Sequence, residues 1–165
     1  MTAEIHDYVS VSEKLQNFGL SAPTGLAILP ENLATATLVG ELRQQVESDT
    51  VRTLWKEHGI PHVELFHQDN QPPYLQQYSF EWFGPTLFIS AGLLSQNPNV
   101  LSVTLGIITN YLYDFFKGAK DSQASLNIIY ENADGSCKKI RYRGPPAGLN
   151  AVAEIVSKLG KSDEE

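Results

Sequence analysis

Four side chains in one short segment have the chemistry of metal ligands, namely His58, His62, Glu64 and His67. On a β-strand, His62 and Glu64 would share one face and could bind a metal ion together. His67 would then point to the other face, and Gly59–Pro61 interrupts the helical spacing that would bring His58 close. We therefore interpret these histidines as ordinary surface and core residues, and we predict neither a metal nor a cofactor.

The single cysteine, Cys137, lies beside Lys138 and Lys139, which could lower its thiol pKa. A catalytic thiol also needs a positioned base, and the sequence identifies none. One cysteine allows no disulfide within these residues, which is typical of a reducing cytosol. We expect Cys137 to be a hairpin residue without catalytic chemistry.

The segment Gly144–Gly148 joins a predicted strand to a predicted helix, where backbone N–H groups can hold a phosphate. Pro145 and Pro146 lack the N–H groups that such a cradle uses. The segment is therefore predicted to be a rigid turn. The sequence also lacks a Walker lysine motif, a Gly-x-Ser-x-Gly motif and spaced cysteine pairs.

Three basic residues, Lys139, Arg141 and Arg143, alternate along a predicted strand and so share one face. Two interpretations stay open. This face meets an acidic partner, or it is the solvated face of an edge strand whose charges prevent association between sheets.

A run without any charged residue or histidine extends from Trp82 to Tyr113, in a chain whose net charge is -7. Such a run must be buried, either in the core or against another molecule. Pro85 and Pro98 divide it into pieces shorter than the roughly 20 apolar residues of a membrane-spanning helix. We expect no stable membrane insertion, although release of this segment into a membrane on activation stays a third hypothesis.

Within this run, a predicted helix carries Ser102, Gly106, Thr109 and Tyr113 on one small, uncharged face. A solvent-facing helix normally carries charge on its outer side. This face therefore packs closely in the core, forms an interface with a second chain, or lines a small-molecule pocket.

Aromatic residues are concentrated just before and at the start of the run: Tyr74, Tyr78, Phe80, Trp82 and Phe83. On a strand, Tyr78, Phe80 and Trp82 would share one face. They form either a binding surface beside a polar loop or the lid of the core.

The elements that position these residues follow from hydrophobic spacing and turn residues. In the first half we predict a helix capped by the Ser10–Glu13 capping box, a strand at 26–29, a helix at 38–46, a helix from 48 or 49 to Gly59, a strand at 62–66 and a loop at 68–77. In the second half we predict either a strand or a helix within 86–94, a helix at 99–117, a hairpin of 126–131 and 138–143 around Asp134-Gly135, and a helix from Leu149 that Gly160 ends.

This order predicts an α+β fold, with a small mixed β-sheet that includes a C-terminal β-hairpin and has helices packed on it. We expect a single domain over residues 1–160 and a short charged tail at 161–165. Hydrophobic residues make up 42% and charged residues 19% of the 165 residues, which is typical of a folded protein. The acidic balance argues against a nucleic-acid partner, and we expect no secretion signal and a cytoplasmic location.

The function predicted from these features is that of a non-catalytic, soluble interaction module, an adaptor or accessory subunit that binds another protein chain or itself. The proposed interface residues are Tyr78, Trp82, Gly106, Thr109 and Tyr113. The alternative is a small hydrolase or transferase without a local motif, since catalytic groups can be far apart in sequence. Its site would combine Glu81, His62, His67 and Glu131.

Overall fold

The computed structural model describes residues 2–75, 81–117, 119 and 122–163, with the side chains of 2 and 159–163 left aside. These residues form β1 (Thr2–Tyr8), α1 (Val11–Asn17), β2 (Leu26–Leu29), β3 (Gln44–Gln45), α2 (Ser48–Glu57), β4 (Tyr74–Leu75), β5 (Trp82–Ile89), α3 (Ala91–Gln96), α4 (Val100–Phe115), β6 (Ala124–Glu131), β7 (Cys137–Gly144) and α5 (Leu149–Asp163). Short 3₁₀ turns lie at Val39–Glu41, Gln68–Asn70 and Pro146–Gly148.

The central sheet has five strands in the order β1-β7-β6-β5-β2. Neighbouring strands are antiparallel except β5 and β6, which run parallel. Parallel strands need a long crossover, and here α3 and α4 supply it. The predicted single-domain α+β fold with a mixed sheet is thereby confirmed.

One face of the sheet, called here the covered face, carries α2, α4 and α5. Apolar side chains of these three helices pack there against the sheet. The sheet contributes Leu87, Ile89, Leu126, Ile128, Ile140 and Tyr142, each at most 2% exposed. The helix α4 packs against α5 and α2. This layer is the larger of the two hydrophobic clusters and fixes the orientation of α4.

The opposite face, called here the second face, is covered over only part of its area. A smaller cluster joins Val11 and Leu15 of α1 to Phe88 and Ile129 of the sheet. Leu33, Ala36 and Leu42 complete it from the segment that follows β2. Apart from Phe83, the part of this face that borders a cleft carries polar side chains.

Several predicted elements are confirmed. The Ser10 hydroxyl accepts a hydrogen bond from the Glu13 N–H at the start of α1. Gly135 has φ +88° in the turn of the β6–β7 hairpin, a conformation that glycine adopts without strain. The strand β2, the helix α2 and the helix α4 also lie where predicted. The ambiguous 86–94 segment contains both elements, since β5 ends at Ile89 and Ser90 then caps α3.

The helix predicted at 38–46 is wrong. This segment contains a 3₁₀ turn and the two-residue strand β3. The Asn32 side chain accepts from the Arg43 N–H and donates to the Glu41 carbonyl, which ties the segment to the turn after β2. As a result, Val46 is 49% exposed, whereas Leu42, Gln44 and Gln45 are buried.

Three further corrections concern strands and helix ends. The predicted strand at 62–66 is a single bridge between Val63 and Ala27. The polar segment 2–8, for which no strand was predicted, forms the edge strand β1 beside β7. The final helix does not stop at Gly160, because α5 continues to Asp163.

Candidate functional site

The helix α4 has an apolar inner side that belongs to the core. Leu101, Leu105, Ile108 and Leu112 are at most 2% exposed. Thr109 is also buried, at 3%, and its hydroxyl donates a 2.7 Å hydrogen bond to the Leu105 carbonyl. The structure therefore does not place Thr109 with the interface residues predicted from the sequence.

The opposite side of α4, called here the outer face, is exposed. It consists of Ser102, Val103, Gly106, Asn110 and Tyr113, of which Val103 is 47% and Tyr113 55% exposed. A Cβ built on Gly106 would meet no atom of the described chain within 4 Å. The helix is thus not enclosed on all sides, and the predicted residues Gly106 and Tyr113 lie on one surface that carries no charge before Asp114.

The aromatic set does not form one surface. Trp82 is 1% exposed and lies in the core, where its ring centroid is 6.5 Å from that of Tyr111. Tyr74 is exposed, and its hydroxyl donates to the Asp49 carboxylate. Phe83 is half-buried on the second face, and Tyr78 and Phe80 lie outside the described residues. The structure therefore places Trp82 in the core, apart from the exposed residues of the predicted interface.

The residues considered as metal ligands come together only as a pair. His62 Nε2 lies 3.6 Å from a Glu64 carboxylate oxygen, and His62 Nδ1 lies 3.0 Å from the Ile60 carbonyl. His58 instead contacts the Leu54 carbonyl through Nδ1 at 2.9 Å. Within the described ranges, no group of three His, Cys, Asp or Glu residues has the arrangement of a metal site.

The four residues of the alternative catalytic site lie in different parts of the structure and contact different partners. Trp82 of β5 pairs with Ala124 of β6, so Glu81 lies level with Gln123. Glu131 lies eight residues after Gln123 along β6. At roughly 3.3 Å per residue, this separates Glu131 from the level of Glu81 by about 26 Å. Glu81 forms an ion pair with Arg143, and Glu131 accepts a hydrogen bond from the Ala91 N–H.

His62 and His67 belong to the segment before the 3₁₀ turn at Gln68–Asn70, where the His67 carbonyl accepts from the Asn70 N–H. His62 is held there by Trp55, with ring centroids 4.9 Å apart. Neither histidine can contact both Glu81 and Glu131, because these two carboxylates lie at opposite ends of the central strands. The structure does not assemble this site.

Cys137 is buried, at 3% exposed, and has no disulfide partner. Burial raises the pKa of its thiol above the ordinary value of 9.0. This is opposite to the lowering that the neighbouring lysines were predicted to cause. Lys138 does not face the thiol, because its ammonium group pairs with Asp7.

The segment Gly144–Gly148 is a turn, as predicted. Pro146 is buried, and the Tyr142 hydroxyl donates to the Pro145 carbonyl. These contacts fix the entry of the chain into α5.

The basic residues of β7 are not on an edge strand, because β1 lies beyond β7. Lys139 and Arg141 instead border a cleft of about 330 Å³ on the uncovered part of the second face. The cleft is lined by Glu31, Gln45, Phe83, Gly84, Ser125, Leu126, Asn127, Lys139 and Arg141. Sequence reasoning identified the cations but missed Glu31, Gln45 and Asn127, which come from three distant segments.

A comparison of the chain with protein-family models, curated proteins and solved structures finds no match. In the part of the chain that the structure describes, no helix has the length and apolar character needed to cross a bilayer.

Proposed function

We propose that this protein is a non-catalytic interaction module that pairs with a second copy of itself through the outer face of α4. The observation that carries this proposal is an exposed helix face that has no charged residue from Ser102 to Tyr113, before Asp114 at the end of α4, in a chain of net charge -7. Two acidic copies repel one another at most orientations, and an uncharged contact surface avoids placing like charges opposite each other.

The residues of the outer face are arranged so that the face matches itself. Gly106 lies near its centre, with Ser102 and Val103 one turn before and Asn110 one turn after. In an antiparallel pairing centred on Gly106, Ser102 of one copy would meet Asn110 of the other and could hydrogen-bond to it. Two-fold symmetry requires this kind of self-complementarity.

Gly106 also lets the two helix backbones approach closely, because no described side chain fills the space above it. Val103 and Tyr113 then supply apolar and aromatic surface on either side of the crossing point. Tyrosine and other aromatic residues are enriched at the centres of protein interfaces.

The test is the solution mass by light scattering over a range of protein concentrations, comparing the natural chain with Gly106→Glu. We expect a dimer that the variant abolishes, because the glutamate would place two like charges at the crossing point. The substitution replaces a helix-breaking residue by a helix former at an open position, so folding is retained.

Gly40→Glu provides the matched control. Gly40 is exposed, has open space around its Cβ position and lies in the 3₁₀ turn away from α4. It introduces the same charge and should leave the dimer intact. A monomer at every concentration, or a dimer that Gly106→Glu does not weaken, would contradict the proposal.

Thr109→Glu is not an equivalent test, although Thr109 was predicted on the same face. Its side chain is enclosed, so a glutamate there would bury an unpaired charge and unfold the domain. We further propose that the module works in the cytoplasm, supported by a single, buried and unpaired cysteine.

A further inference from the structure

The cleft on the second face has a cationic wall formed by β7. Lys139 and Arg141 form no ion pair and no side-chain hydrogen bond with any residue that the structure describes. Glu4 lies opposite Arg141 in the β1–β7 register, but its carboxylate contacts His6 at 3.2 Å. Two unpaired cations facing one concavity are unexpected in a chain with 19 acidic and 12 basic residues.

The other wall of the cleft presents hydrogen-bond acceptors. Gln45 is part of the lining although the residue is only 4% exposed, and its buried Oε1 atom has no hydrogen-bond partner within the described structure. A buried polar atom without a partner is costly, and a native protein normally satisfies it. A ligand that donates a hydrogen bond to this oxygen would supply the missing partner.

Glu31 adds a second acceptor whose position is fixed. One carboxylate oxygen accepts from the Thr86 hydroxyl at 2.8 Å, and the other accepts from the Asn127 amide at 3.2 Å. Each carboxylate oxygen has about two acceptor positions, so Glu31 retains capacity for a further donor. The two residues that hold it belong to β5 and β6, which makes the arrangement rigid.

The cleft is also of suitable size and shape for a small molecule. Its volume of about 330 Å³ lies at the lower end of the range for ligand pockets. Phe83 provides an apolar surface, and Ser125 provides a hydroxyl. A guanidinium group such as that of Arg141 matches the geometry of a carboxylate.

We propose that this cleft binds a small organic carboxylate that also carries an N–H or O–H donor, with its carboxylate on Lys139 and Arg141 and its donor on Gln45 and Glu31. The assignment rests on the opposite chemistry of the two walls. It is independent of the α4 surface, because the cleft lies on the second face of the sheet and α4 on the covered face.

Three four-carbon dicarboxylates test this proposal, since they differ only at one substituent. Succinate has no donor on its chain, malate has a hydroxyl group and aspartate has an ammonium group. Binding is measured by NMR shift perturbation of the ¹⁵N-labelled protein at physiological ionic strength. We expect malate or aspartate to bind at least about tenfold more tightly than succinate, because a ligand without the donor leaves Gln45 unsatisfied.

Two variants on one strand separate the cleft from general surface charge. Arg141→Gln should weaken binding about tenfold or more, as expected for loss of a charged hydrogen bond. Arg143→Gln removes the same charge two residues away, where Arg143 pairs with Glu81, and should change affinity less than about twofold under screening salt.

Gln45→Met tests the donor requirement directly, since it keeps the side-chain length and removes the amide. We expect this variant to show a smaller preference for malate over succinate, because only Glu31 then remains to accept from the ligand's donor. The proposal is overturned if none of the three acids shifts the resonances of cleft residues at millimolar concentration. It is also overturned if Arg143→Gln weakens binding as much as Arg141→Gln, or if Gln45→Met leaves the preference for malate over succinate unchanged.

Discussion

The two faces of the central sheet differ sharply although the same strands form both. On β6, Leu126 and Ile128 point to the covered face and are at most 2% exposed, whereas Ser125 and Asn127 point to the second face and are half-buried. The covered face is shielded by three helices, but α1 and the 33–42 segment shield only part of the second face. The difference shows that one face supplies stability while the other leaves a polar cleft open.

Within the second face, the change from apolar to polar side chains takes place between two successive cross-strand pairs. Phe88 and Ile129 are neighbours in the β5–β6 register and lie under α1, whereas Thr86 and Asn127, the next pair on that face, hold Glu31. Strand alternation alone does not produce this change, because all four side chains point the same way. It depends on where the covering segment ends.

The largest predicted effect separates the two faces at adjacent positions of β6. Ile128→Ala should lower the free energy of unfolding by about 2–5 kcal/mol, because it leaves a cavity in the covered layer. Asn127→Ala should cost only about 0.5–1.5 kcal/mol, the usual contribution of one hydrogen bond. Urea unfolding of both variants measures the contrast, and equal losses would contradict the division of roles between the faces.

The second prediction compares two glycines that differ in the space around them. A Cβ on Gly84 would collide with the Trp82 ring and with Leu126, 2.7 Å away, whereas a Cβ on Gly106 would meet no described atom within 4 Å. Gly84→Ala should therefore destabilise the domain by about 1–3 kcal/mol through overpacking. Gly106→Ala should stabilise the monomer by about 0.5–1 kcal/mol through helix propensity, measured at a protein concentration low enough to dissociate the proposed dimer.

Thermal unfolding of these two variants checks the sign as well as the size. A stabilised Gly84→Ala would show that the Trp82 ring has room to move, and the close packing described for the core would then be wrong. A Gly106→Ala monomer that is destabilised would show that the space at Gly106 is already filled within the single chain.

The elements that sequence reasoning predicted correctly are those whose determinants are local. The hairpin follows from Asp134-Gly135 between alternating strands, and α4 follows from the spacing of Leu101, Leu105, Ile108 and Leu112. The strand β1 was missed because its charged residues pair with residues of β7 that are far away in the sequence. Asp7 and Lys138, which form a hydrogen bond, are 131 positions apart. A local pattern carries no sign of such pairing.

The cleft was only partly predictable for the same reason. The basic face of β7 followed from alternation, and the hairpin register places Asn127 opposite Arg141. Glu31 and Gln45 come from the two ends of the segment that Asn32 folds back after β2, and the second part of this segment, 38–46, was predicted to be a helix. Tertiary hydrogen bonds there override the apparent helical spacing.

The third prediction concerns the stability of the polar cleft itself. Gln45→Met should raise the free energy of unfolding by about 1 kcal/mol, because it removes a buried acceptor that lacks a partner and retains the side-chain volume. Stability gained by removing a polar group from a binding site commonly accompanies lost function. Urea unfolding without ligand measures the effect, and a loss of stability would mean that the Gln45 amide is satisfied by a contact within the fold.

The smallest predicted effect contrasts the unpaired cations of the cleft with Lys138, the neighbouring cation that is paired. The Lys138 hydrogen bond to Asp7, followed by its charge, lowers the pKa of the Asp7 carboxyl below 3.8. Since the folded-state pKa lies below the unfolded value, the favourable contribution is present above pH 3.8 and is lost as pH falls through the folded pKa.

Lys138→Met should return the pKa of Asp7 toward its ordinary value, and a carboxyl-carbon NMR titration measures the shift. Asp134 is the internal control, because Ser136 rather than a lysine lowers the pKa of its carboxyl. Its titration should be the same in both proteins. The change in overall stability should be slight, because Asp7 is fully exposed and exposed ion pairs contribute little. If the pKa of Asp7 stays low in the variant, a group other than Lys138 lowers it, which would contradict this prediction.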